Sequence, residues 1–312
     1  MNIMIKDGLP HITATHDRNN PRSCGVMQNI GMDTNILLKH NGSKNILVTF
    51  WNYQLTLMGI LEMDEVKKNY YGSLCADMYE ILHEQAPQDE LNFYLSYAEK
   101  GKKILEPLCG SGRFLIPFLE RGFDIYGIDL SKEMLDKLRR KAPNAQVIQA
   151  DIAKYTVQEN FDYIFIPSGS ISLFTDMRMC KKILEKIKKL LTVGGKFVFA
   201  VDTVFGRCDE DNTYKVRASV KTKEGHYLTL KMKNYYDKNS QTQFSPSIYE
   251  LYNSTELLRS ENMDFQTHLY HYGEMEEYLK NCGFKSIVTY SNYQKEPANN
   301  DECEMFIYEC SV

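Results

Sequence analysis

Between residues 102 and 203, short apolar runs alternate with segments of helical spacing, and this alternation constrains the fold more than any other feature of the 312-residue chain. A short apolar run between turns is typical of a buried strand, and an amphipathic segment between two such runs is typical of a crossover helix. Strands joined in this way form a parallel sheet with helices on both faces. The apolar runs are Ile104–Leu108, Ile125–Asp129, Val147–Ala150, Tyr163–Pro167 and Phe197–Val201.

The helical period is clearest in the segment around KKILEKIKK. Its apolar residues form one stripe, and most of its lysines fall between them. The charged run therefore indicates the solvated face of a helix rather than a patch that binds nucleic acid. Gly194 and Gly195 are predicted to end this helix before the next strand. The apolar stripe consists of Ile183, Leu184, Ile187, Leu190 and Leu191.

After residue 213 the pattern changes to short aromatic and β-branched runs with turns between them, which predicts antiparallel strands. We expect these strands to form a lobe over residues 214–272, inserted after the fifth strand of the sheet. A helix over Glu274–Cys282 and two last strands, Ser286–Tyr290 and Met305–Cys310, are predicted to complete the sheet in residues 273–312. The predicted lobe strands are Val216–Lys221, Tyr227–Lys233, Ile248–Tyr252 and Asp264–Tyr272.

Residues 1–65 give the weakest pattern. The stretch Thr13–Ser43 is rich in Asn, Gly, Asp and His and shows no sustained period, whereas Asn45–Met58, which contains Trp51, predicts one or two strands. We expect this part to be an N-terminal extension of uncertain order, and the main domain to occupy residues 66–312. The alternative is that the extension forms a lid over a substrate.

Composition excludes several classes of function. A formal net charge of −4 gives no broad attraction to nucleic acid or to an anionic membrane. None of the eight cysteines forms a CxxC pair, which argues against a zinc ribbon or a thioredoxin-like site, and no metal site is predicted. No apolar stretch approaches the ~20 residues of a membrane span, and the first residues lack the apolar core of a signal peptide. We therefore expect reduced thiols and a cytoplasmic location.

The residues with the clearest chemistry lie where the first predicted strand turns into a helix, in ILEPLCGSGRFLIPFLERG. Glu106 ends the strand, and Gly110 and Gly112 allow the backbone to turn tightly and to approach a ligand closely. A dinucleotide-binding loop would have a third small residue where this chain has Leu115, so a pyrophosphate would fit poorly.

The next two strands each end in an acidic residue. Asp129, nineteen residues after Gly110, is placed to accept hydrogen bonds from ribose hydroxyls. Its alternative role is to cap the following helix, although Ser131 is the better cap. Asp151 followed by Ile152 suits an adenine ring, because the carboxylate accepts from the exocyclic amine while the apolar side chain packs on the ring face.

Taken in order, the segments EPLCGSG, GIDLS, QADI, FDYIFIPSGS and LLTVGGKFVF resemble the motif series of class I S-adenosylmethionine-dependent methyltransferases. This resemblance implies an α/β fold with a Rossmann-like, doubly wound, mostly parallel seven-stranded sheet. It also implies S-adenosyl-L-methionine as cofactor, with helices in residues 66–100 covering it. The residues implied for the methionine part are Glu106, Leu108, Gly110 and Gly112; those for ribose and adenine are Asp129, Leu130, Asp151 and Ile152; those facing the amino acid and methyl groups are Ile166 and Pro167.

Within this superfamily the chain looks most similar to small-molecule N-methyltransferases of the amino-sugar and glycine types. The segment YGSLCADMYE places Tyr71 and Tyr79 where those enzymes have a helix over the cofactor and a tyrosine near the methyl group. Two departures stand out. Ser172 occupies the place of a histidine found near the substrate in some relatives, and an arginine for the cofactor carboxylate is missing before Gly112, where Arg113 is a candidate substitute.

These features predict methyl transfer to a nitrogen or oxygen of a small molecule by in-line attack, with Tyr71 orienting the reaction as the catalytic residue. His268 and His271 are candidate bases, although their alternating surroundings also fit an ordinary strand. Cys109 is expected to pack rather than react. The lobe is predicted to cover the acceptor or to form a homodimer interface.

Three alternatives remain open. An RNA, DNA or protein methyltransferase shares the fold, but the chain reads Ile-Pro-Ser-Gly after the fourth strand and lacks the D/N-P-P-Y/F motif for flipped bases. A nicotinamide-dependent oxidoreductase would have a different glycine loop. A third possibility is a member that binds the cofactor without turnover.

Overall fold

The computed structural model describes residues 68–156 and 159–312, together with the backbone of four short strands nearer the N-terminus. The chain forms two compact units, residues 1–65 and 66–312. The first unit holds an antiparallel sheet in the order β1-β2-β4-β3. The sequence pattern predicted only the last of its strands, and Trp51 lies outside the described residues. These strands are β1 (Ile3–Met4), β2 (Thr13–His16), β3 (Asp33–Leu38) and β4 (Ile46–Phe50).

The second unit contains a seven-stranded sheet. Its strands are β5 (Lys103–Pro107), β6 (Asp124–Asp129), β7 (Gln146–Gln149), β8 (Phe161–Ile166), β9 (Leu191–Asp202), β15 (Lys285–Tyr290) and β16 (Met305–Ser311). They lie in the order β15-β16-β9-β8-β5-β6-β7. Only β16 runs against its neighbours, so the predicted mostly parallel seven-stranded sheet is confirmed.

Helices pack against both faces of this sheet. The first helix, α1 (Ser73–Leu82), packs instead on the inserted lobe. Those on the sheet are α2 (Gln88–Leu95), α3 (Leu115–Glu120), α4 (Lys132–Lys141), α5 (Met177–Leu190) and α6 (Glu274–Cys282). The stripe Ile183, Leu184 and Ile187 of α5 is buried, and Lys181 and Lys189 beside it are exposed, as the period predicted. None of the described helices is long and apolar enough to cross a membrane.

The prediction that Gly194 and Gly195 end this helix is wrong. The helix ends at Leu190, and the chain enters β9 at once. The glycines lie inside the strand, where its register with β8 shifts, and Gly194 has a φ of 78°. Glycine in a strand often marks such an irregularity, because the extra residues require backbone conformations that other residues avoid.

The inserted lobe is an antiparallel sheet of β10 (Lys215–Lys221), β11 (Tyr227–Met232), β12 (Tyr235–Asp237), β13 (Thr242–Asn253) and β14 (Glu256–His268). It follows β9, as predicted, but β13 and β14 form a hairpin much longer than the runs that indicated it. Helix α1 packs on this sheet through Leu74, Cys75 and Met78, which share an apolar cluster with Tyr249 and Met263.

The connections of the parallel strands create a switch point between β5 and β8. The chain runs from β5 outward through β6 and β7, then returns to β8 on the other side of β5 and continues to β9. The loops that follow β5 and β8 therefore leave the sheet in opposite directions and open a crevice at its carboxyl edge. Ligands of open α/β sheets bind in such a crevice.

A chain that begins at Met63 is expected to fold. The three apolar clusters of the described residues draw their members from residue 71 onward, so the truncation removes none of that buried surface. Urea unfolding followed by circular dichroism should show one cooperative transition with a free energy within about 1 kcal/mol of the full chain. An insoluble or non-cooperative product would show that residues 1–62 belong to the fold.

Candidate active site

A cavity of about 360 Å³ opens at the switch point, a size within the usual range for small-molecule sites. Its walls come from the loops after β5 and β6, the turn after β8, the start of α5 and the segment that precedes α1. Five residues predicted from separate parts of the sequence meet there. They are Tyr71, Leu108, Gly110, Asp129 and Leu130.

The loop after β5 has an unusual backbone. Leu108, Gly110 and Gly112 have φ angles of 59°, 53° and 86°. This region costs a leucine roughly 1–2 kcal/mol, so the surrounding structure must hold Leu108 in place. A Cβ atom on Gly112 would lie 2.8 Å from Leu138 Cγ of α4 and 3.1 Å from Ile116 Cδ1. Only glycine therefore suits both the conformation and the packing at this position.

The carboxylate of Asp129 joins two loops of the cavity. Its Oδ2 accepts a hydrogen bond of 2.8 Å from the Gly110 amide, and its Oδ1 accepts one of 2.8 Å from the Ser131 amide. Burial raises the pKa of Asp129, while these amide hydrogen bonds oppose that rise. Because an ionised carboxylate can accept about four hydrogen bonds, it retains capacity for a ligand hydroxyl.

Ser131 caps the helix that follows, as the sequence predicted. Its Oγ accepts a hydrogen bond of 3.1 Å from the Met134 amide at the start of α4. The same hydroxyl donates to the Tyr71 carbonyl at 2.7 Å. This second bond ties the segment before α1 to the carboxyl edge of β6, so a helix cap also positions Tyr71.

The phenol ring of Tyr71 forms part of the cavity wall and meets Tyr79 edge to face, with 5.9 Å between ring centroids. Burial raises the pKa of Tyr71 far above its ordinary value, and the charges of Cys75, Tyr79, Asp129 and Asp202 raise it further. The hydroxyl is therefore neutral at physiological pH and available as a hydrogen-bond donor.

Glu106 and Arg113 lie beside this loop with unused hydrogen-bonding capacity. Glu106 is 2% exposed, and its Oε2 has no hydrogen-bond partner among the described residues. Burial raises the pKa of Glu106 well above its usual value, whereas the Arg113 guanidinium lowers it. Arg113 Nη2 donates to Ser168 Oγ at 2.6 Å, but its buried Nε has no partner in the same part of the chain.

Glu90 completes this group, although the sequence analysis did not identify it. The Glu90 side chain, on α2, accepts a hydrogen bond of 2.7 Å from the Ser168 amide, and Ser168 has a φ of 54°. An acidic residue in the first turn of a helix is ordinarily a solvated end group. No local pattern could show that this one is buried against the loop after β8.

Six of the predicted residues do not line the cavity: Glu106, Gly112, Asp151, Ile152, Ile166 and Pro167. Ile152 and Ile166 are core residues, with 4% and 0% exposure. The carboxylate of Asp151 accepts a hydrogen bond of 2.9 Å from the Ala153 amide and pairs with Lys154 at 3.3 Å.

The two histidines proposed as bases lie away from the cavity. His268 contacts Glu274 Oε1 through Nε2 at 3.0 Å and the Ser240 carbonyl through Nδ1 at 3.1 Å. His271 pairs with Asp301 at 2.8 Å. Each histidine therefore links segments that are apart in the sequence. This geometry does not support a role for either as the base that deprotonates the acceptor.

The cysteines of residues 68–156 and 159–312 form neither a disulfide nor a metal site. The seven within the described ranges are free thiols, and Cys24 lies outside those ranges. Cys109 is 4% exposed, and burial raises the pKa of its thiol well above the usual value, which agrees with the expected packing role. No cluster of His, Cys, Asp or Glu in the described residues is placed to hold a metal ion.

Glu261 of β14 stabilises the start of α1. Its carboxylate accepts hydrogen bonds from the Leu74 and Cys75 amides at 3.0 and 3.4 Å, whereas Gly72 at the N-cap has no side chain to do so. A capping interaction of this kind contributes about 1 kcal/mol. We expect Glu261→Ala to speed amide hydrogen exchange of Ser73–Leu82 about fivefold. Glu256→Ala, on the exposed start of the same strand, is the control, and equal exchange in both variants would contradict the prediction.

Comparison with known proteins agrees with this architecture. A family model described as a methyltransferase domain matches residues 104–195. The putative methyltransferase YqeM of Bacillus subtilis is 27% identical over 245 residues, which cover 73% of this chain and 92% of that protein.

Two solved structures share the fold. An S-adenosylmethionine-dependent methyltransferase from Clostridium acetobutylicum has a TM-score of 0.62 and 16% identity, covering 76% of this chain and 97% of that one. A sugar N-methyltransferase from Streptoalloteichus has a TM-score of 0.55 and 16% identity, covering 88% and 98%. The matched domain spans β5 to the glycine pair in β9, and thus includes the glycine loop and Asp129. The chain therefore contains a methyltransferase domain over residues 104–195 and has the fold of these S-adenosylmethionine-dependent methyltransferases.

Proposed function

We propose that the cavity at the switch point binds S-adenosyl-L-methionine and directs its methyl group to a small-molecule acceptor. One observation carries this proposal. Residues predicted from three separate motifs, in the glycine loop, at the end of β6 and before α1, line a single cavity. Strand order brings the first two motifs to one edge of the sheet, and the segment before α1 joins them there.

The adenosine part fits the side of the cavity formed by β6. Asp129 would accept from the ribose hydroxyls with the lone pairs that its two amide contacts leave free. Leu130, 53% exposed although apolar, would pack on the adenine ring. Asp151 and Ile152 lie at the end of the next strand, so the proposal keeps Asp151 as acceptor for the adenine amine.

The methionine part fits beside the glycine loop. A zwitterionic amino acid needs an acceptor for its ammonium group and a cation for its carboxylate. The Arg113 guanidinium would bind the carboxylate, and Glu106, whose Oε2 has no partner among the described residues, would accept from the ammonium group, a cation that favours the ionised form of its carboxyl. Arg113 would thereby take the role for which an arginine before Gly112 was missing. Ile166 and Pro167, at the end of β8, remain proposed neighbours of the same part of the cofactor.

The sulfonium supplies the electrophile when it is bound, so the chain has mainly to align the nucleophile and to exclude water. Holding reactants in line accounts for much of the rate in such reactions. Tyr71, with its neutral hydroxyl at the cavity wall, would donate a hydrogen bond that orients the reacting groups. Helix α1 and the lobe, which pack together, would enclose them.

A small molecule suits this site better than a polynucleotide. The net charge of −4 gives no broad attraction to nucleic acid. The sequence Ile-Pro-Ser-Gly at the end of β8 lacks the D/N-P-P-Y/F motif that accompanies flipped bases. One structural neighbour is a sugar N-methyltransferase, which supports the same class of acceptor.

We also propose a cytoplasmic location, and a homodimer through the lobe, which exposes Val216, Leu257 and Leu258.

Calorimetric titration of the full chain with S-adenosylmethionine and S-adenosylhomocysteine tests the proposal. We expect micromolar dissociation constants for both, and none measurable for reduced nicotinamide dinucleotide, because Leu115 occupies the place of the third small residue. Absence of binding to both adenosyl compounds would overturn the proposal. Retarded migration of RNA at moderate salt would favour a polynucleotide acceptor instead.

A further inference from the structure

Asp202 is the last residue of β9 and lies at the carboxyl edge of the sheet. Its backbone is held from two directions. Its amide donates to Ser172 Oγ at 2.9 Å, and its carbonyl accepts from the Tyr270 amide at 2.9 Å. The side chain therefore projects from a fixed position, although no motif in the sequence pointed to it.

The carboxylate of Asp202 has no hydrogen bond or ion pair with any residue in the ranges 68–156 and 159–312. It packs instead over the backbone of Gly169, where a Cβ atom would lie 3.0 Å from Asp202 Cγ. Burial raises the pKa of Asp202 to about 7. Because a partly buried carboxylate without a partner is costly, its presence calls for a ligand that provides one.

Asp202 lies next to the cavity, although it is not one of the lining residues. Gly169 directly precedes Ser170, which lines the cavity, and the charge of Asp202 raises the pKa of the cavity residue Tyr71. The donor occupies the loops after β5 and β6, on one side of the switch point. Since an acceptor must approach the methyl group from the side opposite sulfur, the β8–β9 side, where Asp202 lies, is left for it.

We propose that Asp202 binds the nitrogen of the acceptor, so that the acceptor is a primary or secondary amine and the reaction is N-methylation. This inference rests on the proposed function. A hydroxyl acceptor would gain little from an anionic partner, whereas an ammonium group gains a charge-assisted hydrogen bond.

The same carboxylate accounts for the proton. An amine arrives largely protonated, and Asp202 accepts one proton from it, leaving the nitrogen lone pair free. That lone pair forms the new N–C bond as the C–S bond breaks, and the electron pair of the C–S bond remains on sulfur. The products are S-adenosylhomocysteine and a methylated ammonium, and Asp202 then releases to solvent the proton that it accepted.

Sinefungin provides a probe that does not require the natural acceptor. It is an analogue of S-adenosylhomocysteine in which an amine-bearing carbon replaces sulfur, so it holds an ammonium group where the methyl group would lie. We compare its affinity with that of S-adenosylhomocysteine in the full chain and in Asp202→Asn, which keeps the shape of the side chain but removes its charge. Asp209→Asn, at an exposed position, is the matched control.

We expect Asp202→Asn to weaken sinefungin binding roughly 10- to 100-fold, the range for a charged hydrogen bond. Binding of S-adenosylhomocysteine should change by less than about twofold, as should both ligands in the control. Equal changes for the two ligands in Asp202→Asn, or no change for either, would overturn the role of Asp202. Failure of the unmodified chain to bind S-adenosylhomocysteine would instead overturn the proposed function, so the two failures are distinguishable.

The pH dependence gives a second readout that a structural role would not produce. As pH rises from about 5 to 8, Asp202 loses its proton, so the preference for sinefungin over S-adenosylhomocysteine should increase in the unmodified chain. The preference should stay flat in Asp202→Asn. Tyr71, whose pKa the charge of Asp202 raises, and Tyr270, whose amide donates to the Asp202 carbonyl, have pKa values raised by burial and remain neutral throughout. A pH-dependent preference in the Asn variant would contradict the assignment.

Discussion

Replacing Asp129 by alanine is expected to weaken the binding of S-adenosylmethionine at least 100-fold, or about 3 kcal/mol. Two effects add. The variant loses the acceptor for the ribose hydroxyls, and charged hydrogen bonds contribute about 1.5–3 kcal/mol each. It also leaves the Gly110 and Ser131 amides, 2.8 Å from the carboxylate, without their acceptor. Isothermal calorimetry measures the effect directly.

Asp124→Ala is the matched control, because Asp124 begins the same strand and lies at the opposite edge of the sheet. It should bind the cofactor as the unmodified chain does. Asp129→Asn separates the two effects, since one side-chain oxygen still accepts one amide hydrogen bond. We expect its affinity to lie between those of the parent and the alanine variant. Unchanged affinity in Asp129→Ala would remove Asp129 from the site.

Gly112→Ala is expected to destabilise the protein by about 2–5 kcal/mol and to abolish cofactor binding. The backbone conformation, with a φ of 86°, costs an alanine roughly 1–2 kcal/mol. The new Cβ atom would also lie 2.8 Å from Leu138 Cγ, and overpacking of this kind costs about 1–3 kcal/mol. Urea unfolding gives the change in the free energy of unfolding, and calorimetry gives the binding.

Gly225→Ala isolates the backbone contribution. Gly225 has a φ of 88°, and no atom lies within 4 Å of the place where its Cβ atom would be. The difference between the two variants therefore measures the packing of Gly112 against α4. If both variants lose the same stability, that close contact contributes nothing, and the loop tolerates a larger residue.

The two predictions concern different features of the same loop. Asp129 holds the loop from the side by hydrogen bonds, and Gly112 allows it to approach α4 closely. Leu108, with a left-handed backbone at the cavity wall, shows that the loop is held in a conformation its sequence does not favour. Strain of this kind is typical of functional sites, where the surrounding structure maintains it.

The sequence predicted most of the sheet because its signals are local. Short apolar runs and a 3.6-residue period reflect burial of one strand or one helix face, so β5 to β9 and α5 could be predicted without knowledge of their neighbours. Where the pattern depended on pairing, it was less informative. Strand β13 pairs with β11 on one edge and with β14 on the other, and this pairing keeps its polar residues in an extended strand. From the sequence alone, those polar residues could not be distinguished from residues in turns.

For the cavity, the sequence by itself determined the motif residues that follow individual strands, among them Gly110, Asp129 and Leu130. Their meeting follows from strand order, because the carboxyl ends of parallel strands share one edge. Only the tertiary structure decided that Glu90 is buried against the loop after β8, that the Asp202 side chain packs over Gly169 of the same loop, and that His268 lies away from the cavity. The reason is physical: burial and charge pairing depend on elements that are distant in the chain. Asp202 entered the proposal only because residues 68–156 and 159–312 leave its carboxylate without a partner.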